Sequence, residues 1–191
     1  MRPLYRHGAS KLAPTAGKTM SHDNADTDIH ALAERVGKAL ADQNLTLATA
    51  ESCTGGLIAA AITAIPGSSA WFDRGFVTYS NHAKGEMLGV HPATLESHGA
   101  VSEAVVTEMA EGAISASDAE VSVAVSGVAG PGGGSAAKPV GLVCLAWGMQ
   151  RRETRARSVH CEGGREEVRR RAVVLALEGI LDMLSGPPAG R

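Results

Sequence analysis

The sequence predicts an α/β fold, a single three-layer α/β/α domain with helices on both faces of a mixed sheet. Three observations predict it. A strand, a turn of small residues and a helix follow one another between Leu45 and Ile65, which is how an α/β unit opens. Short β-branched runs and amphipathic helical stretches then alternate along the remaining chain. The strand-like segments also differ in polarity: 142–147 is continuously apolar, whereas 155–160 carries Arg155 and Arg157 and reads as an edge.

Taken in order, Ile29, Leu32, Val36 and Leu40 recur at helical spacing, with Asp28 as the expected N-cap. Leu45 to Thr49 reads as a short buried strand, Glu51 to Gly56 as a turn, and Leu57 to Ile65 as a helix stopped by Pro66-Gly67. Phe76 to Tyr79 is the second expected strand, followed by a helix from about Asn81 to Leu88. Ser102 caps a longer helix that buries Val106, Met109 and Ala113. Val121, Val123 and Val125 alternate as in a strand, and the run Gly127 to Gly134 is too glycine-rich for a regular element. Leu142 to Trp147 is expected as a central strand. The last helix is expected from about Glu166 to Leu184, with Val173, Leu177, Ile180 and Leu184 in register. Residues 1–24 lack apolar periodicity and read as a disordered extension, 25–185 as the domain, and 186–191 as a disordered tail.

Composition narrows the function classes. The 191 residues suit one domain with a core of useful size. A formal net charge of -2 and 3% aromatics offer neither a basic footprint nor stacking platforms for nucleic acid. Cys53, Cys144 and Cys161 have no CxxC spacing, so they read as reduced thiols. No apolar stretch approaches the roughly 18 residues of a membrane span. A cytoplasmic protein is expected, with neither membrane nor nucleic acid as partner.

Several segments carry possible chemistry. In Glu51-Ser52-Cys53-Thr54-Gly55-Gly56 a hydroxyl stands where a strand hands over to a helix, near unpaired N–H groups that stabilise an oxyanion or a phosphate. The bland alternative is a helix cap with glycines for tight packing. Cys53 is the rival nucleophile. Tyr79 and Lys84 frame a strand-to-helix turn, and a lysine whose pKa is lowered by burial can serve a serine as general base. A solvated lysine and a packed ring are the alternative. Ser135-Ala136-Ala137-Lys138 is formally S-x-x-K but lies in a loop without its companion motifs, so it reads as coincidence. Arg165, after Gly163-Gly164, could clamp a phosphate, while Arg169, Arg170 and Arg171 read as a solvated face. His82 and Glu86 are i,i+4 neighbours without a surrounding HExxH, and no metal or cofactor site is expected.

Five ordered blocks together resemble one family: Thr49-Ala50-Glu51-Ser52-Cys53-Thr54-Gly55-Gly56; Pro66 to Phe72; Gly75 to Asn81 with Ala83-Lys84; His98 to Glu103; and Ser126 to Pro131 with Lys138-Pro139-Val140-Gly141. It is the nicotinamide-nucleotide amidohydrolases (PncC), which also form the C-terminal domain of the competence- and damage-inducible protein CinA. The likeness runs from about Ile29 to Leu184. It implies the three-layer CinA C-terminal-like fold, hydrolysis of nicotinamide mononucleotide to nicotinate mononucleotide and ammonia, no cofactor, and a homodimer. By the same resemblance Ser52 is the nucleophile, and Lys84 and Tyr79 are its activating partners. Arg165 is the substrate contact it implies, although Gly164 stands where the family has an aspartate; the N–H groups of Thr54, Gly55 and Gly56 are expected to hold the oxyanion, and Arg165, the glycine loop with Gly130, or both to seat the phosphate. The rival expectation is a silent nucleotide-binding or regulatory module, or an amidase for a related amide.

Overall fold

The computed structural model describes residues 22–186, with side chains from Ile29 onward. The expected extension therefore falls outside the described residues as far as residue 21, and the tail from residue 187. The five strands are β1 (Leu47–Glu51), β2 (Phe72–Val77), β3 (Val121–Gly127), β4 (Leu142–Met149) and β5 (Arg155–His160). The six helices are α1 (His22–Gln43), α2 (Leu57–Thr63), α3 (Asn81–Leu88), α4 (Pro92–His98), α5 (Glu103–Ser115) and α6 (Arg165–Leu184).

The strands form one sheet in the order β2-β1-β3-β4-β5, parallel from β2 to β3 and antiparallel from β3 to β5. Alternation divides each inner strand between two cores. Val121, Val123 and Val125 of β3 and Val143, Leu145 and Trp147 of β4 face α1, α2 and α6. Ala124, Cys144 and Ala146 face Leu88 of α3 and the Val105, Val106, Met109, Ala110 and Ala113 stripe of α5. These are the three layers and the mixed sheet expected.

Boundaries differ in instructive ways. Helix α1 begins at His22, so Asp28 lies inside it rather than capping it. The extra turns are polar, and apolar periodicity cannot find them. Strand β1 ends at Glu51, two residues beyond the expected strand, because a buried carboxylate interrupts the apolar signal. Strand β2 starts at Phe72, and its exposed Asp73 and Arg74 disguise it, as is common at a sheet edge. Helix α4 has no counterpart among the elements expected from the sequence. It has Pro92 in its first turn and no buried residue, so it is a surface turn of helix without a stripe to announce it.

Candidate active site

Register brings three strand ends together: Glu51 at the end of β1 pairs with Val77 of β2 on one side and Val125 of β3 on the other. β1 leads to β2 on one side, while β3 lies on the other, so the crevice beyond these carboxyl ends is where an α/β sheet places its ligand. A cleft of about 210 Å³ opens there. Its lining includes Ser52, Lys84, Tyr79, Asn81, Ser126 and Arg165.

Ser52 follows β1 directly, and its N–H donates to the Val125 carbonyl at 3.0 Å, so the last rung of the sheet fixes its backbone. Gly55 and Gly56, with φ of 62° and 97°, then turn the chain into α2, a left-handed path that glycine takes without strain. The fully buried Glu51 carboxylate closes this turn. One oxygen accepts from the N–H of Gly56 and of Ile58, each at 3.0 Å, and the other from that of Ala59 at 2.8 Å. The positive end of α2 is thus occupied by an internal anion. The Gly55 N–H donates to the Ser52 carbonyl at 3.1 Å. Two of the three amides expected to face a substrate, those of Gly55 and Gly56, are therefore engaged. The Cys53 N–H is bonded to its own sulfur, and among the described residues no acceptor meets the N–H of Thr54, which is fully buried.

Lys84 comes from α3, which Ser80 caps by accepting from the Ala83 N–H. With 1% of its surface exposed, Lys84 is the largest fully buried side chain described. Its Nζ lies 3.0 Å from Ser52 Oγ and donates to the Thr78 carbonyl at 2.8 Å. Burial pushes the Lys84 pKa below its ordinary 10.5, opposed by a charge on Cys53. That opposition is missing near neutrality, because burial also pushes the Cys53 thiol up to about 12. Cys53 remains a protonated, 7% exposed thiol, a poor nucleophile beside a serine with a base at hydrogen-bond distance.

The Tyr79 hydroxyl accepts from Arg165 Nη2 at 3.2 Å, and among the described residues no bond joins it to Lys84 or Ser52. A proton relay through Tyr79 therefore has no bonded path here. Arg165 Nη1 donates to the Gly130 carbonyl at 3.0 Å, so one guanidinium ties the β2–α3 loop to the glycine-rich loop at the cleft rim. Lys138 Nζ donates to the His98 carbonyl and Ser135 Oγ accepts from the Lys138 N–H, so the S-x-x-K pair has no serine–lysine side-chain contact.

Sequence reasoning missed four contributors. Glu51 was read as part of the turn, yet a carboxylate directly after a buried strand is itself a signal. Ser126, 1% exposed in the cleft lining, puts a hydroxyl next to last in a valine-rich strand, a comparable signal. The Thr78 carbonyl gives no side-chain signal. Arg169, placed on a solvated face, is half-buried, and its Nη2 donates to the Thr54 carbonyl at 2.8 Å. Among the described residues no three His, Cys, Asp or Glu side chains converge as metal ligands would, and no helix is long and apolar enough to cross a membrane.

The family model of the CinA C-terminal domain matches residues 29–184, the whole span of sheet and helices that builds this cleft. The chain belongs to the CinA C-terminal domain family. Members similar to it include nicotinamide-nucleotide amidohydrolase PncC of Escherichia coli (strain K12), 54% identical over 155 residues, or 81% of this chain and 94% of that protein. The PncC of Pseudomonas putida is also 54% identical, over 81% of this chain and 96% of its own length. Among solved CinA-family structures, the competence/damage inducible protein CihA from Agrobacterium tumefaciens superposes with a TM-score of 0.80 at 50% identity, over 83% of this chain and 96% of that one. The serine–lysine cleft described above thus lies wholly inside the CinA domain.

Proposed function

We propose that this chain is a cytoplasmic amidohydrolase, converting nicotinamide mononucleotide and water to nicotinate mononucleotide and ammonia. The names of its relatives supply the substrate, and the contact between Lys84 Nζ and Ser52 Oγ in a buried setting carries the chemistry.

Neutral Lys84 takes the Ser52 hydroxyl proton directly, and Oγ attacks the carboxamide carbon. The carbonyl oxygen becomes an oxyanion, received at the backbone turn that follows Ser52. Lys84 returns the proton to the departing nitrogen, ammonia leaves, and an acyl-serine remains. Water then gives a proton to Lys84 and attacks the ester, and Ser52 leaves with that proton. Tyr79 and Arg165 form the rim that holds the nucleotide. The homodimer implied by family resemblance is part of this proposal, and sedimentation equilibrium measures it.

The test follows ammonia and nicotinate mononucleotide together, with Ser52→Ala as blank and Cys53→Ala as control. Equal amounts of both products are expected from wild type and Cys53→Ala. Turnover of Ser52→Ala above about a hundredth of wild type would remove Ser52 as nucleophile.

A further inference from the structure

A second cavity, of about 340 Å³, is lined by Leu57, Arg165, Glu166, Arg169 and Arg170. Three arginines and one glutamate line it, a positive balance that suits an anion with several acceptor oxygens, such as a phosphate monoester. Arg165 borders this cavity and the serine–lysine cleft alike, so the two are neighbours.

Arg169 has two attachments of different kinds. It lines the arginine cavity, and its Nη2 holds the carbonyl of Thr54, a fully buried residue two positions after Ser52. A guanidinium has five N–H donors, so a bond to Thr54 leaves others for an anion. Its Nε is buried and without a partner. The turn it grips is short: the Gly55 N–H closes back onto the Ser52 carbonyl, so moving Thr54 moves the nucleophile.

We infer that Arg169 is a positioning residue, joining a phosphate monoester bound in the arginine cavity to the alignment of the Ser52 turn. The inference rests on the amidohydrolase reading and deepens it, since it assigns the nucleotide's phosphate to α6. A phosphate on the guanidinium fixes its direction, the guanidinium fixes the Thr54 carbonyl, and the Ser52 hydroxyl is held towards the carboxamide. Binding energy from the unreactive end of the substrate is then expressed in kcat rather than in KM alone.

The test compares nicotinamide mononucleotide with nicotinamide riboside, which has the same carboxamide and no phosphate. On wild type the riboside should lose about tenfold to a hundredfold in kcat, the worth of a charged hydrogen bond, and added inorganic phosphate should restore part of it. In Arg169→Met both substrates should lose what the bond to Thr54 alone supplies, the nucleotide should lose more and fall to about the riboside's rate in that variant, and phosphate should no longer restore the riboside. Arg169→Lys, keeping charge but losing the fork, should lie between. An equal loss on both substrates in Arg169→Met would make Arg169 a prop of the fold, and a riboside defect confined to KM would reduce the phosphate to a handle; either overturns the inference. Calorimetric titration with inorganic phosphate supplies a readout without turnover: heat is expected in wild type and absent in Arg169→Met, with the fold of the variant verified by circular dichroism. If wild type releases no ammonia from the nucleotide, the amidohydrolase reading falls. Phosphate heat abolished in Arg169→Met would then still support the cavity, and its absence in wild type would overturn it separately.

Discussion

Lys84 carries an ammonium group into the interior, and its surroundings decide which form it takes. Its bonded partners are a hydroxyl and a carbonyl and not a carboxylate, so the desolvation of a charge is repaid only in part, and burial lowers its pKa below 10.5. The same shift acts on stability. The unfolded chain keeps a proton that the folded chain gives up, so between the folded pKa and 10.5 stability rises with pH. Below the folded pKa both states are protonated and the cost of burial is present in full. Lys84→Met lacks this group, so the stability of wild type relative to the variant should grow as pH rises towards 10.5, as read from urea midpoints. In parallel, kcat/KM of wild type should climb with pH through the folded Lys84 pKa, as the base loses its proton. A stability gap that shrinks with rising pH, or a rate that falls across that range, would contradict a buried neutral lysine.

At the scale of the element, helix α2 shows how the nucleophile turn is held. A seven-residue helix has little stability of its own, and its first N–H groups need partners. Glu51 supplies them from the preceding strand, so β1, the turn and α2 form one bonded unit around Ser52. Glu51→Gln preserves volume but replaces one acceptor oxygen with a donor, leaving at least one buried N–H unpaired. We expect it to cost about 1–3 kcal/mol in denaturant unfolding and to lower kcat more than it raises KM. Unchanged stability and kcat would show that the cap is dispensable. This unit also shows why the sequence was legible only in part. The helix at 81–88 and the Ser102 cap were found because polar caps and apolar stripes are local signals. The bonds of Glu51 and the half-burial of Arg169 were not, since each depends on residues brought close only by folding. Ser52, Tyr79 and Lys84 could be named from the resemblance. That Lys84 reaches Ser52 directly, while Tyr79 turns to Arg165, depends on the path of the β2–α3 loop, which no spacing encodes.

At the scale of the whole molecule, the helical layer opposite α5 is seated by the chain's two tryptophans, each against a helix glycine. A Cβ on Gly37 of α1 would overlap the Trp71 ring, and one on Gly179 of α6 would overlap Trp147. Trp147 is anchored further by its indole N–H, which donates to the Ala176 carbonyl at 2.9 Å. Neither glycine is explained by its helix alone. In an open helix, glycine costs about 1 kcal/mol relative to alanine, so Gly179→Ala would ordinarily stabilise. Here the added methyl must displace a buried indole or separate α6 from the sheet, and overpacking of this kind costs roughly 1–3 kcal/mol. The urea midpoint of Gly179→Ala should therefore fall despite the better helix former. The reaction should be spared, because Gly179 lies ten residues beyond Arg169, about 15 Å further along α6, and Trp147 pairs with Val123 of β3, four residues before the Gly127 that lines the cleft. Lower stability with kcat near wild type would show that the packing of α6 on β4 and the chemistry at the strand ends are separable. A midpoint that rises would mean that the indole yields, and that the seat of α6 is looser than the fit of Gly179 against Trp147 implies.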